Sequence, residues 1–459
     1  MRLLLSLLGL FASTWPLAHA VLLPADDPFY SPPAGFASEE PGTILKSRTV
    51  SVALLSFVPD LVEAHQLLYR TTAVDGSAIA TVTTVFKPIL GAKTDRFISF
   101  HTAYDSSSNI CDPSYDYQFA SIPTDIITSL EQLILQAFLL SGYIVSSADY
   151  EGPEAAFSAG RLEGMASLDS MRAVSNFAST LGLSTDSPMV VGYGYSGGAI
   201  ATGWAASLQP TYAPDLNIVG WASGGTPSNL TGTSVFVDGT VFAGFLPAAI
   251  DGLAKPSAYG DLVNPIIEKY VTAKGKEDLA YADENCAPSD IVDLAYVEVL
   301  STDFNTLGYD ILYEPTFRYV VYDQNTMGLY ANETPTKPVY MYHAKQDEII
   351  PYDDASTTAS TWCADGASVE FVTVASGGHA TTDVVGFIGV FEFVEKAFAG
   401  TVASGCSAST IADATIDPLA LGLDLEPILV ELLNALGTFG TDDSILKISP
   451  SILKTTLHT

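Results

Sequence analysis

The stretch Gly194-Tyr195-Ser196-Gly197-Gly198 lies between a strand-like run, Met189-Val190-Val191, and a helix-like run over 199–208. A G-x-S-x-G at a strand-to-helix junction reads as a nucleophile elbow. A turn this tight imposes strained dihedrals on its serine and tolerates only small neighbours. The hydroxyl is thereby held clear of the backbone, and the Gly197 amide at the helix start is placed to meet an oxyanion. The same residues, from Gly192 to Gly197, also fit the dinucleotide pattern G-x-G-x-x-G. That pattern needs an acid at the end of the next strand to hold a ribose hydroxyl. Here the strand over 216–221 runs into Ala222-Ser223-Gly224-Gly225, and Asp215 stands at its wrong end. The elbow reading is the one retained.

Around the elbow, strand and helix patterns alternate. Residues 49–87 mix β-branched and small residues with turns such as Asp75-Gly76, which predicts antiparallel strands. Short apolar strands follow at Phe97-Ile98-Ser99-Phe100 and over 143–147, with helical spacing over 126–140 and 162–180. Strands resume over 338–342 and 369–374, and a helix is expected over 383–398. Such alternation predicts an α/β fold: a mostly parallel sheet with helices on both faces. The segment 223–337 is far longer than a crossover loop and reads as an inserted domain. The expected organisation is an N-terminal core part over 21–222, the insertion over 223–337, a C-terminal core part over 338–406, and a tail over 407–459. Residues 21–45, rich in proline and acids, suggest an arm on the surface. In the tail, Ile428, Leu429, Leu432, Leu433 and Leu436 fall at helical spacing.

The first 20 residues carry a charged start, an apolar run from Leu3 to Phe11, and Ala18-His19-Ala20. That is the pattern of a secretory signal cleaved after Ala20, so a secreted, extracellular protein is expected. In that route the four cysteines, Cys111, Cys286, Cys363 and Cys406, suit two disulfides, and three pairings are open. No zinc-type spacing occurs, and neither a metal nor a cofactor is expected. Asn229-Leu230-Thr231 and Asn332-Glu333-Thr334 are acceptor sequons for N-glycosylation. A net charge of −33 argues against nucleic acid and anionic lipid as partners.

Ser196 needs a base, and the base needs an orienting acid. His458 sits at the terminus, His65 precedes the parallel sheet, and His101 follows an early strand. His343 ends a strand where the acid is also required. His379, in Ser376-Gly377-Gly378-His379-Ala380-Thr381, follows a late strand at the end where this architecture gathers its functional loops. The acid is expected after the strand over 338–342, which selects Asp347. Glu348 competes with it, and Asp353 and Asp354 stand further off; the flanking Ile349 and Ile350 favour burial of Asp347.

With these residues placed, the chain resembles the fungal secretory lipases of the Candida antarctica lipase A type. The likeness rests on Gly194 to Ala199, on Tyr212-Ala213-Pro214-Asp215-Leu216, on Gly224-Gly225-Thr226-Pro227, and on Tyr342-His343-Ala344 leading to Asp347-Glu348-Ile349. Cys111-Asp112-Pro113-Ser114-Tyr115 and Asp149-Tyr150-Glu151-Gly152 also fit. The resemblance implies an α/β-hydrolase core with the insertion as a helical cap, or lid, over an acyl site. It implies Ser196, Asp347 and His379 as the triad, and Asp105 beside Gly197 in the oxyanion hole. It also implies the pairs Cys111–Cys286 and Cys363–Cys406. An ionised Asp105 would repel an oxyanion, so its amide or a protonated carboxyl is the form expected to act. The apolar run from Val241 to Leu246, with Ile250 and Leu253, is a candidate acyl lining. The expected activity is triacylglycerol lipase, a carboxylic ester hydrolase. The alternative is an esterase for small or acetylated secondary-metabolite esters. A lipid or other ester substrate, contact with a lipid–water interface and a monomeric state are the expected associations. A non-catalytic binding role is disfavoured because all three triad positions are filled.

Overall fold

A computed structural model describes residues 21–412, apart from Leu55 and Leu61. The expected leader and the amphipathic stretch over 428–436 lie outside the described residues. Ten strands form the main sheet: β1 (Ile44–Val50), β2 (Val62–Thr72), β3 (Ala78–Pro88), β4 (Arg96–His101), β5 (Ile144–Ala148), β6 (Met189–Tyr195), β7 (Ile218–Gly224), β8 (Val339–Ala344), β9 (Val369–Val374) and β10 (Ser407–Ile411). Their order is β1-β2-β3-β5-β4-β6-β7-β8-β9-β10. The pairings among β1, β2 and β3, and that of β3 with β5, are antiparallel. From β5 to β10 each pairing is parallel.

Parallel neighbours need crossovers, and helices supply them. They are α1 (Ile126–Leu140), α2 (Gly160–Asn176) and α3 (Gly197–Tyr212) before the insertion. Within it lie α4 (Leu230–Val237), α5 (Phe245–Leu253), α6 (Gly260–Tyr270), α7 (Ala273–Glu284) and α8 (Ala287–Asp293). Beyond it come α9 (Tyr352–Ala364) and α10 (His379–Phe398). The period of two along each strand sorts the core into two layers. Val191, Tyr193, Tyr340 and Tyr342 pack with α1 and α10, whereas Val190, Val339 and Met341 pack with α2, α3 and α9. Each apolar side chain so buried contributes roughly 1.5–3 kcal/mol.

The arm over 21–43 follows the surface and is tied down by an ion pair and by aromatic packing, among other contacts. Arg48 pairs with Asp27 at 2.6 Å and lies 4.1 Å from the Phe29 ring centroid. Phe29, Tyr30 and Phe36 pack against Leu68, Ala80 and Val82. Between β7 and β8 the named elements are all helical. Cys111 is joined to Cys286 and Cys363 to Cys406. Of the two sequon asparagines, Asn332 is exposed, while Asn229 is half-buried and caps α4 by accepting the Gly232 amide at 3.1 Å.

Three boundaries differ from the sequence expectation. The helix expected over 162–180 starts at Gly160 and stops at Asn176, with a separate turn at Ala178–Leu181. The sheet does not end before the tail, because Ser407–Ile411 adds β10 alongside β9, anchored by the Cys363–Cys406 bond. The last helix begins at His379 rather than four residues later, because the Glu348 carboxylate accepts the His379 amide at 2.9 Å. A negative charge at a helix N-terminus also meets the positive end of its dipole.

The core holds many carboxyl groups. Burial pushes Asp116 and Asp149 up to about 7, and Asp290, which also faces Asp293, to about 8. It raises Asp125, Glu151 and Glu163 as well. A carboxyl raised on folding contributes stability that is fully present below its ordinary range, near 4, and lost as pH climbs through the folded value. Asp347, held low, acts in the opposite sense but is outnumbered. The melting temperature is therefore expected to fall by several degrees between pH 4.5 and pH 8. Calorimetry showing equal or higher stability at pH 8 would contradict this.

Candidate active site

Ser196 sits between β6 and α3 with φ 53° and ψ −123°, a conformation unusual for a residue with a side chain. Packing enforces it. A β-carbon at Gly194 would lie 2.3 Å from the Gly198 carbonyl oxygen, and one at Gly198 would lie 1.9 Å from that of His101. The glycines flanking the serine thus let α3 start against β4. The Ser196 hydroxyl stands 2.8 Å from His379 Nε2. On the other side of the ring, His379 Nδ1 is 2.7 Å from Asp347 Oδ2.

These residues come from the carboxyl ends of β6, β8 and β9, which lie close together in the sheet order. Asp347 is nearly fully buried, and its Oδ1 accepts the Ile349 and Ile350 amides at 2.9 and 2.7 Å. Burial pushes its carboxyl up. The His379 charge and hydrogen bond, with His343 and the Ile350 amide, outweigh this and hold it below its ordinary value. His379 shows the converse balance. Burial pushes it down, but the charge and hydrogen bond of Asp347, followed by Glu348 and Asp383, raise it. An imidazolium formed here is stabilised by Asp347 at Nδ1 and by the neighbouring acids, as a base in acyl transfer requires.

Asp105 follows β4 with φ 47° and is nearly fully buried. Its Oδ1 has no hydrogen-bond partner among the described residues. A β-carbon on Gly197 would fall 1.5 Å from that oxygen, so the carboxyl fills the space above the start of α3. Burial raises this carboxyl to about 7, with the His379 charge acting the other way. Below that value it is an O–H donor, and it lines the same cavity as Ser196 and Gly197. The first amides of a helix lack intrahelical acceptors, which suits that amide to an oxyanion.

An apolar cavity opens at Ser196, lined by Asp105, Gly197, Ile200, Pro227, Leu230, Val237, Phe245, Leu246 and Ile349. A second apolar cavity shares Leu230, Leu246 and Ala249 with it and extends along Leu253, Val263, Ile266, Phe304 and Phe317. Within the run singled out from sequence, Phe245, Leu246, Ile250 and Leu253 line these cavities. Val241 and Phe242 do not, and Val241 is 42% exposed.

The other histidines among the described residues have structural partners. His101 is buried between Ser99 and Thr202, and burial lowers it to about 3. His65 pairs with Glu63. His343, set aside as a base, lies 3.3 Å from Asp347 Oδ2 and donates to the Ile350 carbonyl at 3.1 Å. Glu348, weighed as a rival acid, binds the backbone of His379 rather than its ring. Asp353 is almost fully exposed. Tyr195, inside the elbow, was not read as a site residue, yet its hydroxyl donates to the His379 carbonyl at 2.6 Å. Its only sequence signal was its place between Gly194 and Ser196. Among the described residues no cluster of His, Cys, Asp and Glu is arranged to hold a metal, and no helix is long and apolar enough to cross a membrane.

Residues 117–405 match the family model described as secretory lipase. Secreted triacylglycerol lipase LIP1 of Malassezia furfur is 39% identical over 434 residues, covering 94% of this chain and 87% of the relative. Secreted triacylglycerol lipase LIP4 of Malassezia globosa is 40% identical over 450 residues, covering 96% and 97%. Candida antarctica lipase A in its closed state superposes with a TM-score of 0.80 at 33% identity, over 90% of this chain and 96% of that one. The rice cell wall degrading esterase LipA of Xanthomonas oryzae, at 16% identity and a TM-score of 0.58, covers 78% of this chain and 99% of its own, and shares the fold alone. A serine at a strained elbow, a buried histidine–aspartate pair behind it and this likeness along nearly the whole sequence lead to one conclusion: the chain belongs to the secretory lipase family and has the α/β-hydrolase fold.

Proposed function

We propose that this protein is a secreted serine hydrolase that cleaves carboxylic esters of lipids, triacylglycerols included, through an acyl-enzyme on Ser196. The observation that carries the reading is the Ser196–His379–Asp347 relay opening onto a continuous apolar lining. In this reading Ser196 Oγ attacks the ester carbonyl while His379 Nε2 takes its proton. Asp347 holds the ring and the charge it gains. The oxyanion is met by the Gly197 amide and by Asp105, and the tetrahedral adduct collapses as His379 returns the proton to the leaving alkoxide. Water, deprotonated by the same ring, then releases the fatty acid. The helical insertion over 223–337 serves as the cap, and the acyl chain lies along Leu246 and Leu253 toward Phe304. Leader cleavage after Ala20, a monomeric state and contact with a lipid–water interface belong to the same reading.

Hydrolysis of p-nitrophenyl esters from acetyl to palmitoyl, with a triglyceride emulsion, tests it. Rates that rise with chain length and extend to the emulsion are expected, with a loss on the order of 10⁵-fold or more in Ser196→Ala. Activity confined to acetyl and butyryl esters would favour the small-ester alternative, and indifference to Ser196→Ala would refute both.

The two oxyanion groups have separable signatures. Gly197→Ala forces a methyl into the Asp105 carboxyl and is expected to cut kcat by about 10²-fold or more, with the Ser196→Ala variant as background. Wild-type activity should decline as pH rises through about 7, where Asp105 ionises. Asp105→Asn keeps an N–H donor at every pH, so its kcat/KM profile should lose that decline. Inactivity of Asp105→Asn across the range would contradict the protonated-donor role.

A further inference from the structure

Two stretches of the sequence, Asp149-Tyr150-Glu151-Gly152 and Cys111-Asp112-Pro113-Ser114-Tyr115, take no part in the proposed reaction, yet they join to bracket the loop that carries Asp105. Residues 149–151 follow β5 directly, and β5 lies beside β4 in the sheet. The Tyr150 hydroxyl donates to the Thr102 carbonyl at 2.7 Å. One residue on, the Glu151 amide donates to the Tyr104 hydroxyl at 2.9 Å. The two tyrosine rings pack with centroids 5.1 Å apart, and both side chains are fully buried. Beyond Asp105 in sequence, the Asp149 carboxyl accepts the Ser114 amide at 2.8 Å and the Ser114 hydroxyl at 2.5 Å. Three consecutive residues thus grip the Asp105 loop before and after its functional side chain.

That loop needs a grip. Asp105 Oδ1 has no hydrogen-bond partner among the described residues, so that oxygen is placed by the backbone that carries it. The backbone is in the left-handed region, with φ 47°, which a residue with a side chain keeps only where its surroundings hold it there. From the elbow side, the Thr202 hydroxyl donates to the Gly198 carbonyl at 2.9 Å and so accepts from His101 Nδ1 at 2.7 Å. His101 thereby fixes the entry to the loop, and the tyrosines fix the residues between it and Asp105.

We propose that Tyr150, together with Tyr104, is a positioning residue of the oxyanion hole: its hydroxyl holds the Thr102 carbonyl, and through that backbone the pose of the Asp105 carboxyl. Asp105 lines the cavity at Ser196 and the two tyrosines do not, so the pair acts through Asp105 rather than on the substrate. Burial, followed by the charges of Glu151 and Asp105, pushes the Tyr150 hydroxyl well above its ordinary value, so it stays a donor throughout the working pH range. An oxyanion donor stabilises the transition state only while it is held in place beforehand, so a loop that drifts lowers kcat before it weakens binding.

The inference rests on the reading of Ser196 as nucleophile and Asp105 as oxyanion donor. The experiment compares kcat and KM on p-nitrophenyl butyrate for the full chain, Tyr150→Phe, Asp105→Ala, the double variant and Tyr69→Phe. Each is normalised to sites labelled by a p-nitrophenyl phosphonate, which requires only a reactive Ser196. Tyr69 is the control, since it is equally buried and its hydroxyl donates to the Ala166 carbonyl at 2.8 Å, outside the loop. Phenylalanine at either position leaves one buried carbonyl short of a donor, so both variants should lose melting temperature to a similar extent. Only Tyr150→Phe should lower kcat, by about tenfold with KM unchanged, less than the loss of about 10²-fold expected when an oxyanion donor is removed outright. Beside Asp105→Ala the same change should cost less than about twofold, because the group it positions is gone.

An unchanged kcat in Tyr150→Phe, a fall that Tyr69→Phe reproduces, or a full further loss beside Asp105→Ala overturns the proposal and leaves Ser196 as nucleophile. A wild-type chain that the phosphonate does not label at Ser196 overturns the underlying reading, and this inference with it. Should Tyr150→Phe yield no reactive sites, Tyr104→Phe decides. It removes the other hydroxyl of the pair, so kcat should again fall with KM unchanged, and the fall should vanish beside Asp105→Ala. An unchanged kcat in Tyr104→Phe then overturns the proposal.

Discussion

The 2.7 Å contact between His379 Nδ1 and Asp347 Oδ2 is the point at which three distant stretches of chain are forced into register. A carboxylate as buried as Asp347 is costly unless a cation or several N–H groups satisfy it. Here the Ile349 and Ile350 amides take one oxygen and two imidazoles share the other. That arrangement fixes the turn after β8 and the pose of the ring. Through Nε2 it also sets the ring 2.8 Å from the Ser196 hydroxyl. The elbow's strained dihedrals would be wasted if the ring stood a further ångström away.

Around this contact the backbone of His379 is held as firmly as its ring. Glu348 takes its amide and Tyr195 donates to its carbonyl. Neighbouring acids thus divide the labour: Asp347 governs the tautomer and charge, and Glu348 governs where α10 begins. The division follows from helix physics, since a first-turn amide needs an acceptor and a negative charge there is welcome.

What could be read from the chain was local or positional. The elbow announced itself because strand, glycine-flanked serine and helix are contiguous in sequence. Asp347 and His379 followed from the rule that loops at carboxyl ends of parallel strands carry the chemistry. The carboxyls of Asp383 and Glu131 were illegible for the opposite reason. An aspartate early in a helix and a glutamate inside an amphipathic one look like solvated positions, and only packing of α1 against α10 buries them. His343 was hidden by a similar accident, being four residues from the acid it touches across a turn. In the insertion, hydrophobicity marked the right neighbourhood without sorting Leu246, which lines the cavity, from Val241, which faces solvent. The tail boundary was misplaced because Ser407–Ile411, short and mostly small and polar, gains its strand character from β9.

The Cys111–Cys286 bond links the loop that follows Asp105 to the turn between α7 and α8. It is a covalent stitch across the boundary between sheet and insertion, 175 residues apart in sequence. The bond limits how far the insertion can separate from the sheet near Cys286, and constrains points remote from it less. The tether sits on the same loop that presents Asp105, so the position of that loop and the position of the insertion are held by one covalent bond.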